Sequence, residues 1–562
     1  MVGSTTLVVW HRSSPVKSTR RQVLGLLGST AALPIAGNVA RATSDPAMAP
    51  GETCRHVPSG WTAVRGGQRI ADLGDGRFLN PIIAGDHPDP AVLKDGEDYY
   101  ATFTSMDSYP GLSIWHSRDL VNWRPIVAAL RAAPGSVFAV DLVKHDGRYF
   151  IYIPIVPVTF ERGAVIRIYV IHADHIGGPW SDPIDVGVEG QIDPEHAVGE
   201  DGHRYLFLAG ISRVRLRADG LAADGPIEPA YAGWQYPRDW VVQGFSLEGP
   251  KILRHGDFFH LLCAEGGTSG PPTSHMVVAA RSRSIHGPWE NCPHNPIVHT
   301  ASASEPWWSR GHGSLVEGPD ANWWIVYHGY ENGYRTLGRQ TLLEPVQWTS
   351  DGWFRATGGD LSQPMTKPLP NAPRAPAFEL SDDFAVPAWG TRWRIYRPAT
   401  DAPARAVLAD GALVLRGIGN GPQDCSPVVG RSGDHAYEVS VDMELSDGVE
   451  AGLLLFFSHR LFLGMGYDGR HMTTYAGGRT SFWQEPVPAS RHFKMRIVND
   501  RQIVAFYYAA SDGHWAQHAL RFDVTGYNAN VVEDLASLRP ALFAAREGIV
   551  RFRHYRYRCL RS

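Results

Sequence analysis

The sequence predicts an all-β protein: a five-bladed β-propeller followed by a concanavalin-like antiparallel β-sandwich. Three observations predict it. Five segments share one grammar at blade-sized intervals, a Pro-rich polar stretch interrupts the chain after them, and the pattern behind that stretch becomes a plain period-two alternation.

The repeats come first. "DPAVLKDGEDYYATFTS" opens at Asp89, "DLVKHDGRYFIYIPI" at Asp141, "DPEHAVGEDGHRYLFLAG" at Asp193, "EGPKILRHGDFFHLLCAEGG" at Glu248 and "HGSLVEGPDANWWIVYHGY" at His312. Each begins with an acidic residue or histidine, runs a short strand, turns, and returns as an aromatic strand. The starts are about 52, 52, 55 and 64 residues apart, the size of a propeller blade. Asp95-Gly96, Asp146-Gly147, Asp201-Gly202 and His255-Gly256 supply the hairpin turns. Further strand-like runs ("LSIWHSRDLVNW", "IRIYVIHAD", "MVVAARSRSIHGPW") bring each unit to four strands.

The rest of the chain is assigned around this repeat. Residues 77–357 are the propeller and residues 358–379 a Pro-rich linker. In residues 380–562 the strand "AYEVSVDMEL" alternates Tyr437, Val439, Val441, Met443 and Leu445 on one face, as a sandwich strand does. Residues 1–42 read as a targeting segment, with paired Arg20 and Arg21, a weakly apolar run and Ala40-Arg41-Ala42 as a cleavage site; residues 43–76 are an N-terminal extension. The arginine pair is of the twin-arginine type, so the mature chain is expected to be exported to the periplasm or beyond. No later run of 18 apolar residues occurs, so no membrane partner is expected after cleavage.

Composition removes other classes. A net charge of −4 leaves no electrostatic footprint for nucleic acid. Five cysteines, an odd number without C-x-x-C, make neither a disulfide framework nor a zinc site. "GMGYDG" satisfies a dinucleotide fingerprint, but "RHMTTY" behind it reads as strand, not helix.

The innermost strand of each blade lines a propeller's axis, so Asp89, Asp141, Asp193, Glu248 and His312 are expected to converge at one mouth. Four carboxylates together push their pKa values apart. Glycosidic cleavage uses such a split, with one acid for the leaving oxygen and one base for water; an inverting pair stands roughly 6.5–9.5 Å apart.

At this point the blocks "HPDPAVLKDGEDYY", "YPGLSIWHSRDLVNW", "IDPEHAVGEDGHRYLF", "LEGPKIL", "AEGGT", "RGHGSLVEGPDANWW" and "LGRQTLLEPVQW" resemble glycoside hydrolase family 43, above all its β-xylosidase-like members, across about residues 77–357. The C-terminal sandwich is similar to their accessory domain. The resemblance implies that Asp89 is the general base, Glu248 the general acid and Asp193 the carboxylate that tunes and orients the acid. It implies a substrate contact for Arg339 and places His312 near the axis, beside a water cluster or, through water, a structural calcium; no cofactor is required for the chemistry. Three positions depart from the pattern. Asp141 follows Phe138-Ala139-Val140 and becomes a wall or subsite residue, Gln340 stands where Glu is usual, and Asp86 stands where an aromatic is common. Tyr109, Phe245, Trp307 and Trp308 are candidates for stacking on a sugar, His87 for the mouth or merely a turn, and Gly266-Gly267-Thr268 for a loop near the pocket.

The expected function is an exo-acting inverting hydrolase releasing pentose from xylan-type oligosaccharides. β-1,4-Xylosidase leads, and α-L-arabinofuranosidase is the close alternative. A non-catalytic, lectin-like carbohydrate-binding protein is the alternative of another class; it would lack the acid or the base.

Overall fold

Each repeat forms an antiparallel meander. Blade I consists of Ala91–Asp95, Asp98–Thr102, Gly111–Ser117 and Arg124–Leu130. Blade II consists of Asp141–His145, Arg148–Val156, Arg167–Ala173 and Ile184–Glu189, and blade III of Glu195–Val198, Arg204–Leu208, Ser212–Arg215 and Glu228–Pro229. Blade IV runs Leu247–His255, Phe258–Glu265, Met276–Ser282 and Glu290–Asn291, and blade V runs Trp307–Glu317, Trp323–Glu331, Arg339–Trp348 and Phe354–Ala356. This computed structural model describes residues 68–560 except 158–164, 399–401, 511–512 and 533. The targeting segment expected over residues 1–42, and Cys54, lie outside the described residues.

Alternating apolar side chains give each blade two dry faces, and five clusters fill the gaps between neighbours. Leu112 and Ile114 pack on Ile151 and Ile153, and Tyr152 and Val170 on Leu206 and Val214. Tyr205 and Phe207 meet Leu261 and Val278, and Leu262 and Val277 meet Ile325 and Tyr327. The fifth cluster sets Trp324 and Val326 of blade V against Tyr99 and Trp115 of blade I, which closes the ring. Removing a side chain of this size from such a gap costs about 3–5 kcal/mol.

The segment before blade I adds a second closure. Asn80 exchanges two hydrogen bonds with the backbone of Leu343, Ile82 N donates to Thr341 O at 2.9 Å, and His87 N donates to Arg339 O at 2.9 Å. The chain entering blade I is thus laid along the third strand of blade V. This places Asp89, two residues further on, beside Arg339.

The sandwich has two sheets. Its seven-stranded sheet is centred on Ala436–Leu445, His492–Asp500 and Ile549–Cys559, whose inward faces carry Tyr437, Val439, Val441, Met443, Phe493, Met495, Phe552 and Tyr557. The facing sheet has eight strands, and its last one comes from the propeller: Ser108–Tyr109, in the loop between the second and third strands of blade I, pairs with Arg394–Tyr396. This corrects the expectation for Tyr109. Its ring is 4% exposed, and its hydroxyl donates to the Gly135 carbonyl, so it fills the gap between blades I and II and does not face a sugar.

The Pro-rich stretch at 358–379 is tied to the propeller. Lys367 Nζ donates to Asp72 at 2.7 Å and to Ala372 O at 2.8 Å, and Ala375 N donates to Asn122 at 3.0 Å.

Candidate active site

The in-phase residues are held in unusual backbone. Asp89, Asp193 and His312 take φ values of 55°, 53° and 60°, a left-handed conformation that costs a non-glycine residue of order 1–3 kcal/mol. In blade IV the same task falls to Gly249, directly after Glu248, at φ 56°. A Cβ there would lie 2.6 Å from His312 Nε2, so only glycine fits. The strands are also irregular here. The pairing of Leu247–His255 slips between Glu248 and Lys251, and that of Trp307–Glu317 slips on both sides of Gly311, the second time across His312. Such bulges re-aim side chains beside active sites.

Asp89 is 6% exposed and surrounded by donors. Arg339 Nη1 donates to its Oδ1 at 2.8 Å and Thr104 Oγ1 to its Oδ2 at 2.5 Å. His328 Nδ1 lies 3.0 Å and His312 Nδ1 3.3 Å from Oδ1. Burial pushes this carboxyl up, but Arg339, His312 and His328 outweigh burial and hold it well below the usual carboxylate range. Asp89 is therefore ionised and oriented.

Glu248 has the opposite environment. Burial, followed by the charge on Asp89, pushes its carboxyl up to about 7; among the described residues its carboxyl accepts from Ser246 Oγ, at 3.2 Å. Asp193, 5% exposed, accepts from Gly249 N at 2.9 Å, which fixes the peptide that carries Glu248. Burial and then Glu248 raise Asp193 well above its ordinary value. The pair retains a proton near neutrality, and ionised Asp89 helps keep it there.

Arg339 completes the group. Its side chain is 4% exposed and its Nη2 has no partner among the described residues, a buried donor left for a ligand hydroxyl. Next to it, Gln340 accepts from Arg69 Nη2 and Gly85 N through Oε1, and donates through Nε2 to Glu331 at 2.8 Å. A glutamate there would face Glu331 with no proton to donate, which accounts for the departure at this position.

The structure brings Asp89, Asp193, Glu248, His312 and Arg339 together, but not Asp141 in the expected role. Asp141 begins its strand, whereas Asp89 and Asp193 each sit two residues before theirs. Its carboxylate accepts from His196 N at 2.9 Å and stands 3.7 Å from Lys251 Nζ, which also binds Glu195 at 2.7 Å. Asp141 is thus part of a buried Asp–Lys–Glu group and not a wall that meets sugar. Lys251→Met would leave two buried carboxylates facing each other. The expected loss is about 3–5 kcal/mol of stability, read as a lower urea midpoint at unchanged slope; an unchanged midpoint would refute the triad.

The other candidates divide. Phe245 is 49% exposed and lies three residues before Glu248, its ring tilted against Tyr236 at 6.1 Å. Trp307 is buried between blades IV and V, and Trp308 donates its Nε1 to Ala303 O. His87 is buried, edge-on to Trp115 at 4.9 Å, with Nε2 2.7 Å from Arg431 of the sandwich. Thr268 Oγ1 lies 3.1 Å from His328 Nε2, so its loop supports the ring beside Asp89. Sequence reasoning missed His328, Thr104, Lys251 and Glu195. The available signal was a polar residue inside an apolar strand, as in "WWIVYHGYE".

His312 does not fit direct calcium ligation. Burial lowers its pKa to about 3, and its ring lies between Asp89 and Gly249, whereas calcium takes six to eight oxygen ligands. Among the described residues no group of three His, Cys, Asp or Glu side chains is placed to hold a metal ion.

Comparison with known proteins now bears on this geometry. The family model "Glycosyl hydrolases family 43" matches residues 78–354. A non-reducing-end α-L-arabinofuranosidase of Bacteroides ovatus is 32% identical over 360 residues, 60% of this chain and 65% of that protein, just under two thirds of its length. A xylan 1,3-β-xylosidase of a Vibrio species is 30% identical, over 60% of this chain and 68% of that one. The crystal structure of a xylan β-1,4-xylosidase from Bacillus halodurans superposes with a TM-score of 0.76 at 26% identity, covering 86% of this chain and all of that one. With the repeats, the ring of five blades and these matches in agreement, the chain belongs to glycosyl hydrolases family 43 and is a glycoside hydrolase.

Proposed function

We propose that the protein is an exo-acting, inverting hydrolase that releases a terminal pentose from xylan-type oligosaccharides, with β-1,4-xylosidase as the leading activity and α-L-arabinofuranosidase as the alternative. One observation carries the reading: two carboxyls of one site are driven to opposite ionisation states, Asp89 down by Arg339, His312 and His328, and Glu248 up to about 7 by burial and the charge on Asp89. The activities for which the relatives are named, xylosidase and arabinofuranosidase, support the pentose.

In this mechanism water is held by ionised Asp89, which takes its proton as the oxygen attacks the anomeric carbon. Glu248 gives its proton to the leaving oxygen. Asp193 holds the Gly249 peptide and so aims Glu248, and Arg339 Nη2 binds a sugar hydroxyl. No cofactor takes part. The lectin-like reading requires an absent acid or base, and both are present. The paired arginines at Arg20 and Arg21 support export by the twin-arginine route.

The test is a hydrolysis panel of aryl β-xyloside, aryl α-arabinofuranoside and xylo-oligosaccharides, with NMR of the first anomer released. The expected result is inversion and preference for the β-xyloside. Retention of configuration would overturn the mechanism, and no turnover of any pentoside would favour the lectin.

A further inference from the structure

Three arginines stand together where the sandwich meets the segment leading to Asp89. Arg394, Arg431 and Arg539 line a small cavity of about 20 Å³ with Asp86, His87 and Ser537. Among the described residues none of the three has a carboxylate within ion-pair distance. Their hydrogen bonds go to neutral groups. Arg431 Nε donates to Thr391 O at 2.5 Å, Arg431 Nη1 is 2.7 Å from His87 Nε2, Arg394 Nη2 donates to Ser113 Oγ at 2.7 Å, and Arg539 Nη2 donates to Ser108 Oγ at 3.3 Å. The Nε atoms of Arg394 and Arg539 are buried and bonded to nothing among the described residues.

A guanidinium does not deprotonate to escape such a place. Arg392 also borders the cavity but is neutralised by Asp382 at 2.9 Å. Two carboxylates reach the cluster by their charge, and both are engaged elsewhere: Asp86 accepts from Arg339 N at 3.1 Å, and Asp107, which acts on Arg539, is paired with Arg397 at 2.6 Å. With the Asp107 charge taken up by Arg397, three guanidinium charges face the single charge of Asp86, and the excess of positive charge sits in a poorly solvated seam, where it is unfavourable. Water can satisfy the two orphaned donors but cannot neutralise the excess. The cavity takes a monatomic ion or a water and is far too small for a sugar ring.

We propose that this cavity is a halide site, in which chloride is held by Arg394, Arg431 and Arg539 and locks the sandwich onto the segment Asp86–Asp89. The link is short. Arg431 holds His87, Asp86 holds the Arg339 backbone, and Asp89 follows. The site lies outside the pentose-cleaving group and does not depend on which sugar is released.

The test is thermal unfolding of the full mature chain in sodium chloride, bromide or methanesulfonate at matched ionic strength. Chloride and bromide are expected to raise the melting temperature saturably by at least about 3 °C up to about 100 mM, and methanesulfonate, too large for the cavity, not to. Arg394→Met and Arg539→Met should each abolish the halide response. Each should also melt higher than wild type in methanesulfonate, because an uncompensated charge has gone. A crystal grown in bromide should show an anomalous peak between the three guanidinium groups, a readout that needs no variant. Equal melting temperatures in chloride and methanesulfonate, or a halide effect with the cavity free of bromide, would overturn the proposal.

Discussion

Asp89→Asn is expected to lower kcat on an aryl pentoside by about 10²–10⁴-fold, the range for removing a positioned general base. It should also weaken the fold, which a residue acting only on water would not do. The reason is Arg339, whose side chain is 4% exposed and whose counter-ion is Asp89 at 2.8 Å. Asparagine keeps the shape and removes the charge, leaving a buried guanidinium uncompensated at a cost of about 3–5 kcal/mol. A third effect follows from the coupling. The Asp89 charge is second only to burial in raising Glu248, so Glu248 should titrate below about 7 in the variant. Single-turnover kinetics, a urea midpoint and a carboxyl NMR titration read the three effects separately. Retained turnover would remove Asp89 as base, and an unchanged midpoint would remove the ion pair from the account of stability.

The second large effect belongs to Glu248→Gln. Glutamine cannot protonate a departing oxygen, so the loss should depend on how much the leaving group needs a proton. Xylobiose should lose about 10³–10⁴-fold in kcat, and a dinitrophenyl pentoside, which leaves as a stable anion, no more than about 10-fold. The pH profile gives the sign. The acid must be protonated to act, so wild-type kcat/KM should fall as pH rises through about 7, where Glu248 loses its proton. The acidic limb belongs to Asp89 and lies well below the usual carboxylate range. In the variant, tested with the activated substrate, the alkaline limb should vanish. A limb that persists there with the same midpoint would show that another group donates the proton.

The fold was readable because its signals are local. An Asp-Gly turn between two apolar runs, as at Asp95-Gly96, Asp146-Gly147 and Asp201-Gly202, specifies a hairpin wherever it occurs, and five repeats at blade-sized intervals specify a ring. The convergence of Asp89, Asp193, Glu248 and His312 was readable for the same reason, since each opens its repeat. What could not be read depends on contacts between distant segments. His328 meets the backbone of Asp89 across 239 positions, and nothing near either residue announces it. Asp141 misled because its repeat is offset by two residues, enough to turn a mouth residue into the first residue of a strand. Tyr109 misled because a two-residue strand is below the length at which period-two alternation can be recognised.

That short strand, Ser108–Tyr109, bears on how the molecule can be dissected. The Pro-rich stretch at 358–379 invites a cut, with a catalytic module before it and an accessory module behind. A cut there would separate strands that belong to one sheet. The sandwich would lose the outermost strand beside Arg394–Tyr396, and the propeller loop would lose the partner that defines it. Each half would then expose an open sheet edge, the feature most prone to pairing with a stranger. The boundary along the chain and the boundary in space therefore do not coincide.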